Sequence, residues 1–513
     1  MTRLLFLIAA LAAAPVADAS SRPQFEMMTD EAFDPSAVAA YDGDHAAIYG
    51  YIDDHLDTHL AQLQRWVRQP SISAQSEGID DMAELVARDL IELGFVDVEI
   101  VPTDGHPGVF GHYDAGADKT LLVYMMYDVQ PVETDWQVDD PFSGELVDND
   151  LGTVLMARGA TNQKGPQRAF LNAVDAIIAT TGSLPVNLYV VAEGEEEIGS
   201  VHFGQVIEPY LDRLRAADGA FFPMNLQAPD GSASLNLGVK GIVYFELEAR
   251  GGAGGGPTQA EIHGSMRAVV DSPAMRLVEA ISTLTSPDAN TIAIEGYYEG
   301  LRPPSLDEQA LINHLDNSGH FERLRAALGV ERWIDGLEGR DAILRYLFEP
   351  TMNINGIVSG YTGEGGMTIL PHRAVAKMDS RLPPGLDADV AMTLIRNHLE
   401  ARGFDDIEIR QSAGYPAASS PVDAGLVQAM IQVLNKYQAT PMVSPWLAGS
   451  APFYHFTETL GVPFVFGGLG HGGGAHAPDE YMLIHPADGV GAAGLAEVQR
   501  AYVDLLYALA GVD

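Results

Sequence analysis

Apolar and polar positions change their period several times along the chain, and each change predicts an element. Residues 46–68 repeat apolar side chains at helical spacing. Residues 121–126 form an unbroken apolar run of strand length, and residues 186–192 form another. Between these two runs, Phe170, Leu171, Val174, Ile177 and Ile178 fall on one face of a helix over 165–180. Strand, helix and strand in that order predict an α/β fold, a parallel-rich sheet covered by helices. Near Gly241 the pattern changes. Residues 242–248 alternate like a half-exposed strand, and 251–256 read as a flexible loop. A helix over 273–285, a strand over 373–381, a helix over 387–403 and a strand over 407–411 predict a small antiparallel sheet backed by helices, with 306–347 a helical insertion within it. The first pattern resumes with a helix over 426–437 and a buried strand over 462–466. The expected organisation is one domain built from 46–240 and 415–513, interrupted by an α+β unit over 241–414.

Composition narrows the function. With 513 residues and 47% apolar side chains, the chain is long enough for two packed domains. It has no cysteine, so disulfides, thiolate ligands and a cysteine nucleophile are excluded. The net charge of −42 argues against nucleic acid or an anionic membrane as partner. At the N-terminus, Arg3, the apolar run 4–14 and the small-x-small triplet Ala17-Asp18-Ala19 read as a signal peptide over 1–19, cut before Ser20. The expectation is a periplasmic or secreted protein. Residues 20–45 are polar and irregular, and read as a tether.

Four short motifs carry the candidate chemistry, each placed after a strand or in a loop, where open α/β sheets collect ligands. They are Tyr124-Met125-Met126-Tyr127-Asp128-Val129-Gln130-Pro131, then Ala157-Arg158-Gly159-Ala160-Thr161-Asn162-Gln163-Lys164-Gly165-Pro166, then Glu193-Gly194-Glu195-Glu196-Glu197-Ile198-Gly199-Ser200, and late in the chain Ala475-His476-Ala477-Pro478-Asp479-Glu480. With Gly449-Ser450, Asn353-Ile354-Asn355-Gly356-Ile357 and Arg381 in Ser380-Arg381-Leu382-Pro383-Pro384, they make the chain resemble the carnosinase, cytosolic dipeptidase, aminoacylase and succinyl-diaminopimelate desuccinylase family of zinc peptidases. The resemblance implies a catalytic domain with an inserted lid that also forms a homodimer. It implies hydrolysis of dipeptides or N-acyl amino acids by a pair of zinc ions.

Matched residue by residue, the implied metal site has lost most of its donors. The first histidine position holds Met126, while Asp128 is kept. The bridging aspartate position holds Asn162, and a further aspartate position falls near Met224. The resemblance makes Glu196 the general base and leaves Glu197 and His476 as metal ligands. An amide and two thioethers are poor donors for zinc, so a dinuclear zinc centre is not expected, and at most one divalent metal or none. Gly111-His112-Tyr113-Asp114 imitates the first metal motif, but it precedes the strand and lacks the Val-Gln-Pro that follows Asp128, so His112 reads as a surface histidine. His455 and His471 read as structural or surface residues.

The remaining residues support chemistry without that centre. Consecutive carboxylates Glu195, Glu196 and Glu197 sharing a pocket would raise one pKa toward neutrality. Lys164 and Arg381 are candidates to hold a substrate carboxylate. Ile262-His263-Gly264-Ser265 resembles the family's oxyanion motif, often supplied across the dimer, which makes His263 a catalytic candidate with Glu196 and Asp128. Asn355, Gly449 and Ser450 complete the expected substrate contacts. The expected function is hydrolysis of a peptide or N-acyl amide bond. A metal-independent acid–base enzyme (hydrolase, lyase or isomerase) and a non-catalytic binder of small peptides stand as alternatives.

Overall fold

The computed structural model describes residues 22–252 and 254–512. The expected leader over 1–19 lies outside them. An eight-stranded sheet runs in the order Val96–Val101, Gly108–Tyr113, Asn187–Glu193, Thr120–Met126, Gly219–Pro223, Phe464–Gly467, Ser232–Asn236, Thr440–Ser444. Thr120–Met126 lies parallel to both of its neighbours, Asn187–Glu193 and Gly219–Pro223. Its unbroken apolar sequence follows from burial of both faces. Leu121, Val123 and Met125 enter the large core that contains helix Lys164–Thr181. Leu122, Tyr124 and Met126 enter an aromatic core with Phe203, Phe222, Phe453 and Phe456 on the opposite face.

A second, four-stranded antiparallel sheet runs Asn353–Ser359, Arg373–Leu382, Gly241–Arg250, Glu408–Tyr415. Gly241–Arg250, expected to be half exposed, is mostly buried: it is an inner strand, and helices Pro273–Ser282 and Ala388–Ala401 share its core. The helix expected over 46–68 is two helices, Ala46–Asp54 and Leu56–Arg68. His55 sits between them, stacked on Tyr51 with its ring nitrogen 2.9 Å from the Tyr51 carbonyl.

The helical insertion becomes helices Leu306–Asn317, His320–Ala327 and Gly339–Phe348. It does not pack within the second sheet. Ile312, Leu315 and Phe348 join Met442 and Trp446 at the edge of the first sheet, and the Trp446 indole donates to Glu308 at 2.8 Å. The insertion thus covers Thr440–Ser444, an edge strand that would otherwise stand open. Within the stretch 20–45 expected as a tether, residues 22–33 form a strap over these helices. Phe25 and Met27 pack on the same cluster, the Phe33 amide donates to the Ala310 carbonyl at 2.9 Å, and Arg22 pairs with Glu349 at 2.8 Å. Among the described residues no helix is long and apolar enough to cross a membrane.

Candidate functional site

The site grows from one parallel strand pair. Met126 and Glu193 are register partners at the ends of neighbouring strands, so both strands release their chains at the same sheet edge. Asp128 and the turn Glu196–Ile198 therefore meet. The buried Asp128 carboxylate accepts the backbone N–H of Glu196 at 3.2 Å and of Glu197 at 3.0 Å. Burial, and then the charge of Glu197, push its pKa up to about 7. Glu196 is pushed well above the ordinary carboxylate range by burial, then by Glu197, Asp128 and Glu193.

The Glu197 carboxylate is enclosed by neutral donors and one histidine. It accepts Asn162 Nδ2 at 2.6 Å and Gln130 Nε2 at 2.8 Å, and His476 Nε2 lies 3.2 Å away. The hydrogen bond to Glu197 raises the pKa of His476. His476 occupies a tight turn with φ 64°, an uncommon backbone conformation for a residue with a side chain. Asn162 is set by Glu480, a buried carboxylate that sequence reasoning passed over. Glu480 accepts the amides of Gly159 at 3.1 Å, Thr161 at 3.0 Å and Asn162 at 2.9 Å, and pairs with buried Arg158 at 2.8 Å. Gln130 and Glu480 both lie inside motifs already singled out, so their polarity within those motifs was the available signal. Glu193, buried and accepting the Tyr124 hydroxyl at 2.6 Å, was also passed over.

The donor set does not suit a pair of zinc ions. Met126 is buried in the aromatic core, and Met224 packs against that core. Asn162 presents its amide nitrogen to Glu197. Among the described residues no group of three or more His, Asp or Glu side chains is placed to hold a metal ion. Glu197 and His476 remain, fewer than the three protein donors of a catalytic zinc site.

Above these groups, a cleft of ≈ 730 Å³ opens between the two sheets. Glu196, Glu197, His476, Asn355, Arg381, Gly449 and Ser450 all face it, together with Gln130 and Tyr244. Arg381 Nε lies 3.6 Å from Asp379. The Ser450 hydroxyl donates to the Gly241 carbonyl at 3.0 Å, which ties the 449–450 turn to the start of the second sheet.

Lys164, expected to hold a substrate carboxylate, does not reach the cleft. It is fully buried at the start of its helix, donates to the Gln69 carbonyl at 2.6 Å, and is pulled down to about 7 by burial. Glu195 is likewise turned away from its two neighbours. It accepts the amides of His106 at 2.9 Å and His202 at 3.1 Å, and the His202 ring at 2.8 Å. His263 is exposed on the second unit, with Nδ1 2.8 Å from the Ser265 hydroxyl, and is not part of the cleft wall of its own chain. His112 stacks on Tyr189, well down the strand from the site edge. His455 is held down to about 4 by burial, and His471 Nδ1 lies 2.8 Å from the Gln227 carbonyl.

A family model described as peptidase family M20/M25/M40 matches residues 122–496. The Cys-Gly metallodipeptidase dug1 of Schizosaccharomyces pombe is 28% identical over 69% of this chain and 75% of its own length. The Beta-Ala-His dipeptidase of Homo sapiens is 28% identical over 69% of this chain and 71% of its own. Among solved structures, the M20 family metallo-carboxypeptidase Sso-CP2 from Sulfolobus solfataricus superposes with a TM-score of 0.77 at 34% identity, covering 88% of this chain and 98% of that one.

Proposed function

Given that the chain belongs to peptidase family M20/M25/M40, we propose that it hydrolyses the amide bond of a small carboxylate-bearing substrate, a dipeptide or N-acyl amino acid, with Glu196 as general base and without a pair of zinc ions. The observation that carries this reading is the meeting of Glu196, Glu197 and Asp128 at one strand edge below a cleft that also presents Arg381. Like charges this close do not all ionise, so the cluster keeps a proton near neutral pH, and Glu196 acts as base in the state in which that proton sits on Asp128. The names of the relatives, dipeptidases and a carboxypeptidase, support the bond cleaved.

In the proposed step Arg381 pairs with the substrate carboxylate and places the scissile carbonyl over Glu196. Glu196 takes a proton from water, and the water oxygen attacks the carbonyl carbon. His476, whose pKa is raised by its hydrogen bond to Glu197, faces the developing oxyanion. Glu196 returns the proton to the amide nitrogen, the C–N bond breaks, and an amine and a carboxylate leave. Asn162 and Gln130 hold Glu197 by hydrogen bonds and set the position of His476.

The test combines metal analysis of protein purified without chelator with turnover of a dipeptide and N-acyl amino acid panel. The expected result is turnover that persists in chelator, and that falls about 10²–10⁴-fold in Glu196→Gln with the fold unchanged. Two tightly held zinc ions per chain, or an unaffected Glu196→Gln enzyme, would overturn the reading. Binding without turnover across the panel would leave a peptide binder in its place.

Two further parts of the reading concern the whole chain. Export rests on the leader pattern over 1–19, and cell fractionation with N-terminal sequencing of the mature protein tests it. A homodimer through the second unit is supported by its edge strand Asn353–Ser359, which leaves Ile354, Ile357 and Val358 exposed by 44, 49 and 62%. Such a dimer gives exposed His263 a route to a partner's cleft.

A further inference from the structure

Behind Arg381 lies a second cavity, of ≈ 390 Å³, that nothing in the proposed step uses. It is lined by the helical insertion on one side, and on the other by residues 285–298, residues 349–352 and Arg381 of the second sheet. Arg381 belongs to the walls of both this cavity and the cleft. Ala448, also in its wall, is followed directly by Gly449 and Ser450 of the cleft. The two spaces therefore share Arg381, the residue read as the carboxylate anchor.

The wall is built to be apolar despite the charges near it. Phe321, Trp333 and Tyr346 form an aromatic cluster, with Phe321 4.7 Å from the Trp333 ring and 5.3 Å from the Tyr346 ring. Ile292 and Leu337 extend it. The cations of the wall are already answered within the chain. The Lys240 ammonium is buried against the carbonyls of Tyr346 and Glu349, and Arg345 pairs with Asp335 at 2.6 Å and Glu349 at 3.9 Å. What the lumen offers an incoming group is aromatic and aliphatic surface, of a volume suited to one large side chain.

We propose that this cavity is the specificity pocket of the site: it takes a bulky apolar or aromatic side chain on the residue whose carboxylate pairs with Arg381. The inference rests on the reading of Arg381 as the carboxylate anchor. It names the substrate class, an amide whose carboxyl-terminal residue is large and apolar. One end of that residue is fixed by the guanidinium, and its side chain is desolvated against Phe321, Trp333 and Tyr346. A glycine at that position forfeits the buried surface and keeps only the ion pair.

Calorimetric titration with N-acetyl-phenylalanine, N-acetyl-leucine and N-acetylglycine tests the pocket without requiring turnover. The expected result is at least about 10-fold tighter binding of the phenylalanine and leucine compounds than of the glycine compound. Leu337→Trp, which adds bulk to the cavity wall, is expected to remove that preference while leaving N-acetylglycine binding unchanged. Ala448→Leu, in the same wall, provides the same readout should the first variant unfold. Equal affinity for the three ligands, or a preference that survives both filled variants, would overturn the proposal. The proposed reaction fails separately: a preserved preference with no hydrolysis of any amide leaves the pocket standing and removes the hydrolase.

Discussion

At the residue scale, the site is defined by a neutral amide, Asn162, placed where the resemblance implies charge. Asn162 donates to Glu197 at 2.6 Å, so one oxygen of the carboxylate is satisfied by a neutral N–H. Asn162→Asp replaces that donor with a second anion. It is expected to cost about 1–3 kcal/mol of stability in metal-free buffer, read by urea unfolding. A stability equal to that of the parent protein would count against the Asn162–Glu197 bond. Glu193 carries a pH dependence of its own. Its carboxyl is pushed up from 4.5 to about 8, chiefly by burial, so the folded chain holds a proton that the unfolded chain has released. Its contribution to stability is complete below the ordinary carboxylate pKa and is lost as pH rises through about 8. Glu193→Gln is expected to flatten the fall of melting temperature between pH 5 and 8. A profile parallel to the parent's would remove Glu193 as its source.

At the element scale, the loop before helix Lys164–Thr181 is held by one buried anion. Glu480 collects three loop amides and the Arg158 guanidinium. Glu480→Ala strands Arg158 in the interior, and is expected to cost about 3–5 kcal/mol, read by equilibrium unfolding. A loss below about 1 kcal/mol would mean that the pair is replaced by solvent. Helices are placed by the surface they cover as much as by their own pattern. The insertion of Leu306–Asn317 and Gly339–Phe348 reads as part of the second unit in sequence order, yet its apolar stripe seals the edge of the first sheet.

At the scale of the whole molecule, the −42 charge repels itself. The melting temperature is expected to rise between 20 and 500 mM NaCl as that repulsion is screened, and a flat response would assign the charge no role in stability. If the edge strand joins two copies, Ile357→Glu gives a monomer by sedimentation without lowering the melting temperature of the subunit. An unchanged oligomeric state would place any interface elsewhere.

The sequence by itself determined the α/β architecture, the second antiparallel sheet and the motifs that surround the site. These are local properties: period, burial on both strand faces, and turn residues at strand ends are written in neighbouring positions. Tertiary structure alone decided what each polar side chain in those motifs does. Lys164 and Glu195 look like site residues in sequence and are turned into the interior, because burial and hydrogen-bond partners come from segments far along the chain. Glu480 and Gln130 look incidental and hold the site together for the same reason. Only the folded chain places the aromatic cavity beside Arg381, since its walls come from the helical insertion, the second sheet and the turn at Ala448, which lie far apart in sequence and meet only by packing.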